Sequence, residues 1–266
     1  METDERTVRQ IAARTGLGWK FVSKDAFLTD MLKQLEQILP DECVLKGGAA
    51  ISRAGYLKNP RFSEDIDLDI YLKSNFKDMV EKYKSLFNSI HGFEIRRPRI
   101  MRWCVRYDAY FVNHFGEKDR IKLELAPVRS CNPDDDIAHK TILQSPFTSG
   151  QASLLRTYSK LHLLARKIDA LSERKEGKDV FDIWGLISGM EMDIVLKTLD
   201  AYSKSLGRKR DVLLSRATIN LKEMSIDKKY IINSTNHYIP RADRFGWGTI
   251  IADVGDFLLT LSGKTN

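Results

Sequence analysis

Asp65, Asp67 and Asp69 alternate with Ile66, Leu68 and Ile70 in the segment 65–70. Successive side chains of an extended strand point to opposite faces, so the alternation predicts a strand that gathers the carboxylates on one side and packs aliphatic chains on the other. Carboxylates crowded at that spacing repel one another unless a cation sits among them, and hard oxygen donors suit magnesium or manganese. Upstream, a short apolar run around Val44 ends in Lys46-Gly47-Gly48 and opens into a helical pattern from Ala49 to Ala54. Glycines between a strand and a helix leave backbone N–H groups open at the positive helix end, a place for phosphate. Metal and phosphate together suggest a nucleotide. Each feature also has an ordinary reading, Asp-x-Asp-x-Asp as a solvated edge strand and Gly-Gly as a turn.

The elements that must hold these residues can be read around them. Ahead of the glycines, Phe27, Met31, Leu32, Leu35 and Leu39 recur at helix spacing before Pro40, with Ser23 as the expected N-cap. After the aspartates, Phe76 to Ile90 reads as an amphipathic helix, then Arg102–Val112 and Arg120–Val128 as strands joined through Asn113–Asp119 with Gly116. Within the second of these strands Lys122 and Glu124 share one face and Ile121, Leu123 and Leu125 the other, which makes Glu124 either a third carboxylate ligand or part of an ordinary half-exposed strand. From Cys131 to Ser149 the chain is polar and interrupted, which places a domain boundary near residue 150. Beyond it, Leu154–Leu171, Asp179–Ser188, Asp193–Leu206 and Arg208–Met224 read as successive helices. His162 points away from the Lys160 face, and Trp184, Phe245 and Trp247 are expected to pack.

With 266 residues, 42% hydrophobic and 30% charged, and only 7 Pro and 16 Gly, the chain has the composition of a globular protein long enough for two domains. An acidic N-terminus and no long apolar run predict neither a secretory signal nor a membrane span, hence a cytoplasmic protein. Cys43, Cys104 and Cys131, odd in number and widely spaced, read as free thiols. The net charge of +7 permits attraction to nucleic acid. Arg96, Arg97, Arg99, Arg102 and Arg106 form one basic cluster, and Lys204, Arg208, Lys209, Arg210 and Arg216 another, each readable as an RNA-binding surface or as a solvated face.

The order strand, Gly-Gly, helix and Asp-x-Asp strand is similar to the signature of the polymerase-beta-like nucleotidyltransferase superfamily. More narrowly, Lys46-Gly47-Gly48 with Arg61-x-Ser63-x-Asp65-x-Asp67 resembles the AbiEii/AbiGii family, the nucleotidyltransferase toxins of type IV toxin–antitoxin systems. Lys24-Asp25 before the first strand, Lys160-Leu161 in the first C-terminal helix and Lys178-Asp179-x-x-Asp182 in the next extend the likeness over about residues 24–186. Ala49 stands where the family often has Thr, Lys178 where it has Arg, and Ser159 where Glu is frequent before the lysine.

The resemblance implies an α/β (α+β) protein, with a nucleotidyltransferase-like mixed sheet and helices over residues 1–150, a helical bundle over 151–266, and the active site between them. It implies Mg2+ or Mn2+ held by Asp65, Asp67 and Glu124, and a nucleoside triphosphate bound by Lys46, Gly47, Gly48, Arg61, Ser63, Lys160 and Asp182, with Lys160 and Asp179 joining Asp65 and Asp67 as catalytic residues. Asp179 and Asp182 share a helix face from which they would orient Lys160 or meet the nucleotide, and Asp179 has the further reading of a helix-dipole residue. The acceptor implied is the 3′ end of tRNA, with Arg208, Lys209 and Arg210 as candidate RNA contacts and a separately encoded antitoxin as partner. The competing readings are a small-molecule nucleotidyltransferase of the antibiotic-modifying type and a catalytically silent binding protein of the same fold.

Overall fold

The computed structural model describes residues 3–71, 75–129 and 132–263. One unit, Met1–Gly55 with Arg61–Tyr158, carries the sheet, and the other, Tyr56–Pro60 with Ser159–Asn266, is helical. The first unit runs α1 (Glu5–Thr15), α2 (Trp19–Ile38), β1 (Cys43–Lys46), α3 (Gly47–Arg53), β2 (Asp65–Tyr71) and α4 (Phe76–Phe87). It continues with β3 (Glu94–Ile95), β4 (Arg99–Ile100), β5 (Val105–Val112), β6 (Lys118–Val128), β7 (Ala138–Leu143) and β8 (Ser153–Tyr158).

These strands form one mixed sheet in the order β3-β5-β6-β2-β1-β8-β7, with β4 on β5. The aspartate strand β2 is therefore central, parallel to β6 and antiparallel to β1. Its aliphatic residues share a face with Leu123 and Tyr107, since Ile66 pairs with Leu123 and Leu123 with Tyr107. Helices cover that face: Tyr107 donates to the Val80 carbonyl of α4 at 2.9 Å, and Phe27 of α2 stacks on Phe111 at 4.2 Å. Burying aromatic and aliphatic chains on one side leaves the polar alternates of the same strands on the other.

Several boundaries differ from the sequence expectation. Ser23 does not cap a helix; α2 begins at Trp19 with Gly18 in the N-cap position, because the apolar stripe extends back through buried Val22, and the buried Ser23 hydroxyl meets His114 Nδ1 at 2.7 Å. Residues 154–158 are strand, not helix: β8 is parallel to β1 and antiparallel to β7. Ser159, not a residue near 150, marks the change to helix, so the sheet-bearing unit runs to Tyr158. Strand β7 lies within the stretch that showed no periodicity, and Tyr56–Pro60 groups with the helices, where Leu57 closes on Gly185.

The helical unit comprises α5 (Lys160–Glu173), α6 (Gly177–Leu186), α7 (Met192–Ser205), α8 (Arg210–Ile226), α9 (Lys228–Thr235) and α10 (Trp247–Leu261). Helix α5 is its hub, burying Leu163, Leu164, Ile168 and Leu171 at the three-and-four spacing that one helix face requires. Trp184 and Trp247 pack as expected, with Trp184 Nε1 donating to Asp253 at 2.9 Å and Trp247 Nε1 to Asn236 at 2.8 Å, whereas Phe245 is exposed on one side and meets the Trp184 ring on the other. Among the described residues no helix is long and apolar enough to cross a membrane.

Candidate active site

Strand register assembles the carboxylates. Across the parallel ladder Asp67 lies opposite Glu124 and Asp65 opposite Lys122, and paired residues of neighbouring strands project from the same face. Asp65, Asp67 and Glu124 are half-buried on that face. Asp69 belongs to the same face but is only 2% exposed, bound to Lys46 Nζ at 2.5 Å and to the Tyr158 hydroxyl at 2.7 Å. The expectation of three carboxylates on one open surface is corrected in this respect: Asp69 is neutralised beneath the surface, and Glu124 stands beside Asp67. Lys46, expected at phosphate, has its ammonium on Asp69.

The glycine turn is built against this row. Gly47 has φ +73°, a left-handed conformation that side chains resist, and a Cβ there would collide with Asp67 Oδ2. A Cβ on Gly48 would come within 2.8 Å of both Arg61 Nη2 and Ser63 Oγ. Gly47, Gly48, Arg61, Ser63 and Asp67, which the family-like motif joins in sequence, thus form one constellation in space. Arg61 is buried, its Nη1 on the Phe62 carbonyl at 2.9 Å and its own carbonyl accepting from Ser52 at 2.7 Å, so the segment leading into β2 is fixed from both sides.

Cations answer the carboxylates. Lys122 Nζ is 3.3 Å from Asp65 and Arg106 Nη2 is 2.5 Å from Glu124; the sequence places Lys122 on the Glu124 face and Arg106 in a basic cluster, but cross-strand pairing with the carboxylates has no local signal. Among the described residues no three His, Cys, Asp or Glu side chains are arranged as a ready metal centre. The donor chemistry nevertheless fits a hard divalent ion: Asp67 and Glu124 offer oxygens from paired register positions, and Asp65 lies one alternate position away on the same face. Cys104 Sγ sits 3.9 Å from Glu124 Oε2, and burial, then that carboxylate, pushes its thiol pKa up. Cys43 and Cys104 are free, as expected, and Cys131 lies outside the described residues.

In the helical unit the expected partnership changes. Asp179 and Asp182 do share a face and both are fully buried, but the cation between them is Lys167, at 2.7 Å and 2.8 Å, with Arg174 also on Asp179 at 2.8 Å. Burial alone would raise the Asp179 pKa; Lys167 and Arg174 outweigh it and hold the carboxyl well below the usual range. Lys160, the first residue of α5, instead donates to the Ser188 carbonyl at 3.0 Å, and burial lowers its pKa. Lys167 was missed, although a lysine inside the apolar stripe between Leu164 and Ile168 needs a buried anion.

The basic clusters differ in surroundings. Arg208 is bound by Asp169 at 3.1 Å and Glu173 at 2.7 Å, and Arg210 by Asp200 at 2.9 Å, while Lys209 precedes α8. In the other cluster Arg106 is bound to Glu124, Arg99 to Asp108 at 2.5 Å and Arg96 to Glu94 at 3.1 Å, and the stretch 99–103 is exposed throughout.

Comparison with known proteins gives this geometry a context. The family model for the AbiEii nucleotidyl transferase toxins of type IV toxin–antitoxin systems matches residues 30–248. In fold the chain is similar to MenT4, a nucleotidyltransferase toxin of Mycobacterium tuberculosis H37Rv, with TM-score 0.59 and 14% identity over 96% of this chain and 89% of that one. It is also similar to JHP933 from Helicobacter pylori, with TM-score 0.52 and 18% identity over 93% of this chain and 94% of the other. No curated protein matches the sequence.

Proposed function

The chain belongs to the AbiEii family of nucleotidyltransferase toxins of type IV toxin–antitoxin systems, and from that premise we propose that it moves a nucleoside monophosphate from a nucleoside triphosphate to the 3′ end of tRNA. Translation then stops in the cytoplasm until a separately encoded antitoxin neutralises the enzyme. The observation that carries this reading is the pairing of Asp67 with Glu124 beside a glycine turn that packs directly against the Asp67 carboxylate, where a Cβ on Gly47 would collide with Oδ2.

Asp65, Asp67 and Glu124 would hold Mg2+ or Mn2+, which when bound lowers the pKa of the acceptor hydroxyl and offsets charge on the phosphates. The chain's own groups do the rest. The N–H groups of Gly47 and Gly48 donate to phosphate oxygens, and the Ser63 hydroxyl beside Gly48 adds a further donor. Arg61, held by backbone contacts, keeps that turn in place. The acceptor hydroxyl gives its proton to solvent water as its oxygen bonds to the α-phosphorus, the bond from that phosphorus to the bridging oxygen breaks, and pyrophosphate leaves with the electron pair. Lys122 and Arg106 pair with Asp65 and Glu124 and direct these carboxylates to the one face. Lys160, assigned by the family motif, offsets phosphate charge, while Asp179 and Asp182 act through Lys167 on the packing of α5 and α6.

The test is incubation of the purified protein with each α-labelled nucleoside triphosphate, Mg2+ and total RNA. Label in the tRNA band supports the reading, and label confined to small metabolites replaces it with the antibiotic-modifying alternative.

A further inference from the structure

Residues 96–104, Arg-Arg-Pro-Arg-Ile-Met-Arg-Trp-Cys, carry four arginines and no acidic residue. They turn through β4 into β5 and expose large apolar groups that folding would ordinarily bury: Trp103 is 74% exposed and Ile100 68%. The Arg102 guanidinium lies 4.7 Å from the Trp103 ring centroid, a cation–π contact that holds the indole as a flat, positively bordered surface. The segment is also continuous with the carboxylate row. Arg99 pairs with Arg106, and Arg106 with Glu124, so Arg99 lies two strands from Glu124 on its face. Cys104, the residue after Trp103, contacts Glu124 through its thiol.

We propose that this segment receives the single-stranded end of the RNA acceptor, one base stacking on Trp103 and phosphates meeting Arg97 and Arg102. The proposal rests on the RNA-acceptor reading above. An exposed aromatic face bordered by cations is the chemistry that binds unpaired nucleotides, because every base presents a π-face and every linkage a charge, whereas bases inside a duplex are stacked on one another and cannot meet the indole. Charge complementarity selects this segment through Arg97 and Arg102, which are exposed and have no acidic partner among the described residues, whereas Arg96 and Arg99 are bound to Glu94 and Asp108, and Arg208 and Arg210 of the other cluster to Asp169, Glu173 and Asp200. The acceptor end would then lie next to the groups that handle the triphosphate.

The test compares the parent with Trp103→Ala, Trp103→Phe and the double variant Arg97→Ala/Arg102→Ala, using a short single-stranded RNA and uncleaved tRNA as probes over a range of salt. Unchanged melting temperatures are the control for folding, expected because all three positions are exposed. Trp103→Ala should weaken RNA binding between about fivefold and a hundredfold, with Trp103→Phe retaining most of the affinity. The double variant should flatten the logarithmic salt dependence by about 0.7 for each phosphate contact removed. The loss should fall on KM for RNA and not on KM for nucleotide. A parent that binds and labels RNA with variants that match it in affinity and salt slope overturns the placement alone, as does a loss that falls on nucleotide KM. A parent that neither binds nor labels RNA overturns the acceptor reading and the placement together.

Discussion

Asp67 on β2 and Glu124 on β6 face each other across a parallel ladder, and the strands outside them extend the row: Lys46 of β1 pairs with Asp67, and Arg106 of β5 with Glu124. Four strands thus present a transverse line of positive, negative, negative, positive residues. The outer cations relieve the repulsion of the inner pair only in part, since Lys46 turns to Asp69 while Arg106 binds Glu124 directly. Asp67 and Glu124 are left as the two central acids, with the glycine turn directly above one of them.

That closeness makes Gly47 the most sensitive position in the turn. Gly47→Ala should cost about 1–2 kcal/mol for a side chain at φ +73°. By displacing the Asp67 carboxylate it should also slow transfer about a hundredfold. Thermal melting and single-turnover transfer read the two effects separately. Parental transfer in a correctly folded variant would remove the turn from the site.

Glu124 gives a graded test of metal binding. Glu124→Gln deletes a charge that Arg106 shares, so the Mg2+ concentration for half-maximal transfer should rise and activity should recover at high Mg2+, water replacing the lost oxygen. Asp67→Asn should not recover. A Mg2+ titration of Glu124→Gln that overlays the parent would return this residue to a purely structural role.

The parts of the site that sequence revealed are those whose logic is local. Alternation showed which residues of 65–70 and 121–125 share a face, and Gly47-Gly48 announced a turn by residue type alone. What it concealed depends on partners far along the chain. Asp69 reads like its neighbours until Lys46 and Tyr158 bury it, and Lys122 and Arg106 become carboxylate partners only through register. Strand β8 reads as helix in sequence because neither Gly nor Pro separates it from α5 and its pairing with β1 spans more than a hundred residues, as Leu45 opposite Thr157 shows. The Asp179–Lys167–Asp182 cluster was half legible: the spacing of the aspartates indicated a shared face but not which lysine occupies it.

Stability and activity should separate in the helical unit. Asp179→Asn leaves Lys167 with one buried partner fewer and should destabilise by about 3 kcal/mol. Lys160→Ala removes a hydrogen bond to the Ser188 carbonyl, worth about 1 kcal/mol, yet should lower transfer by about two powers of ten. Denaturant titrations beside transfer rates test the contrast. A Lys160→Ala enzyme as fast as the parent would sever the family motif from the chemistry.

His162 should shape the acid limb of stability. Burial, with Arg166 adding to it, pushes its pKa down from 6.5 to about 4, so the native imidazole stays neutral where the unfolded one takes a proton. The unfolded state binds more protons in that window, and stability therefore falls as pH drops from 6.5 towards 4. Burial lowers His114 as well, so His162→Gln should make this limb shallower without abolishing it. Denaturation midpoints at several pH values decide, and parental steepness in the variant would count against a buried neutral His162.

The central claim is transfer of a nucleotide to RNA by the Asp67–Glu124 face. Its most direct measurement is transfer of label from an α-labelled nucleoside triphosphate to purified tRNA in Mg2+, with the parent and a folded Asp67→Ala variant side by side. The account predicts that the parent labels the tRNA 3′ end, that label and pyrophosphate appear in equal amounts, and that Asp67→Ala labels nothing. Labelling by Asp67→Ala at the parental rate, or a parent that leaves tRNA unlabelled with every nucleotide, would contradict it.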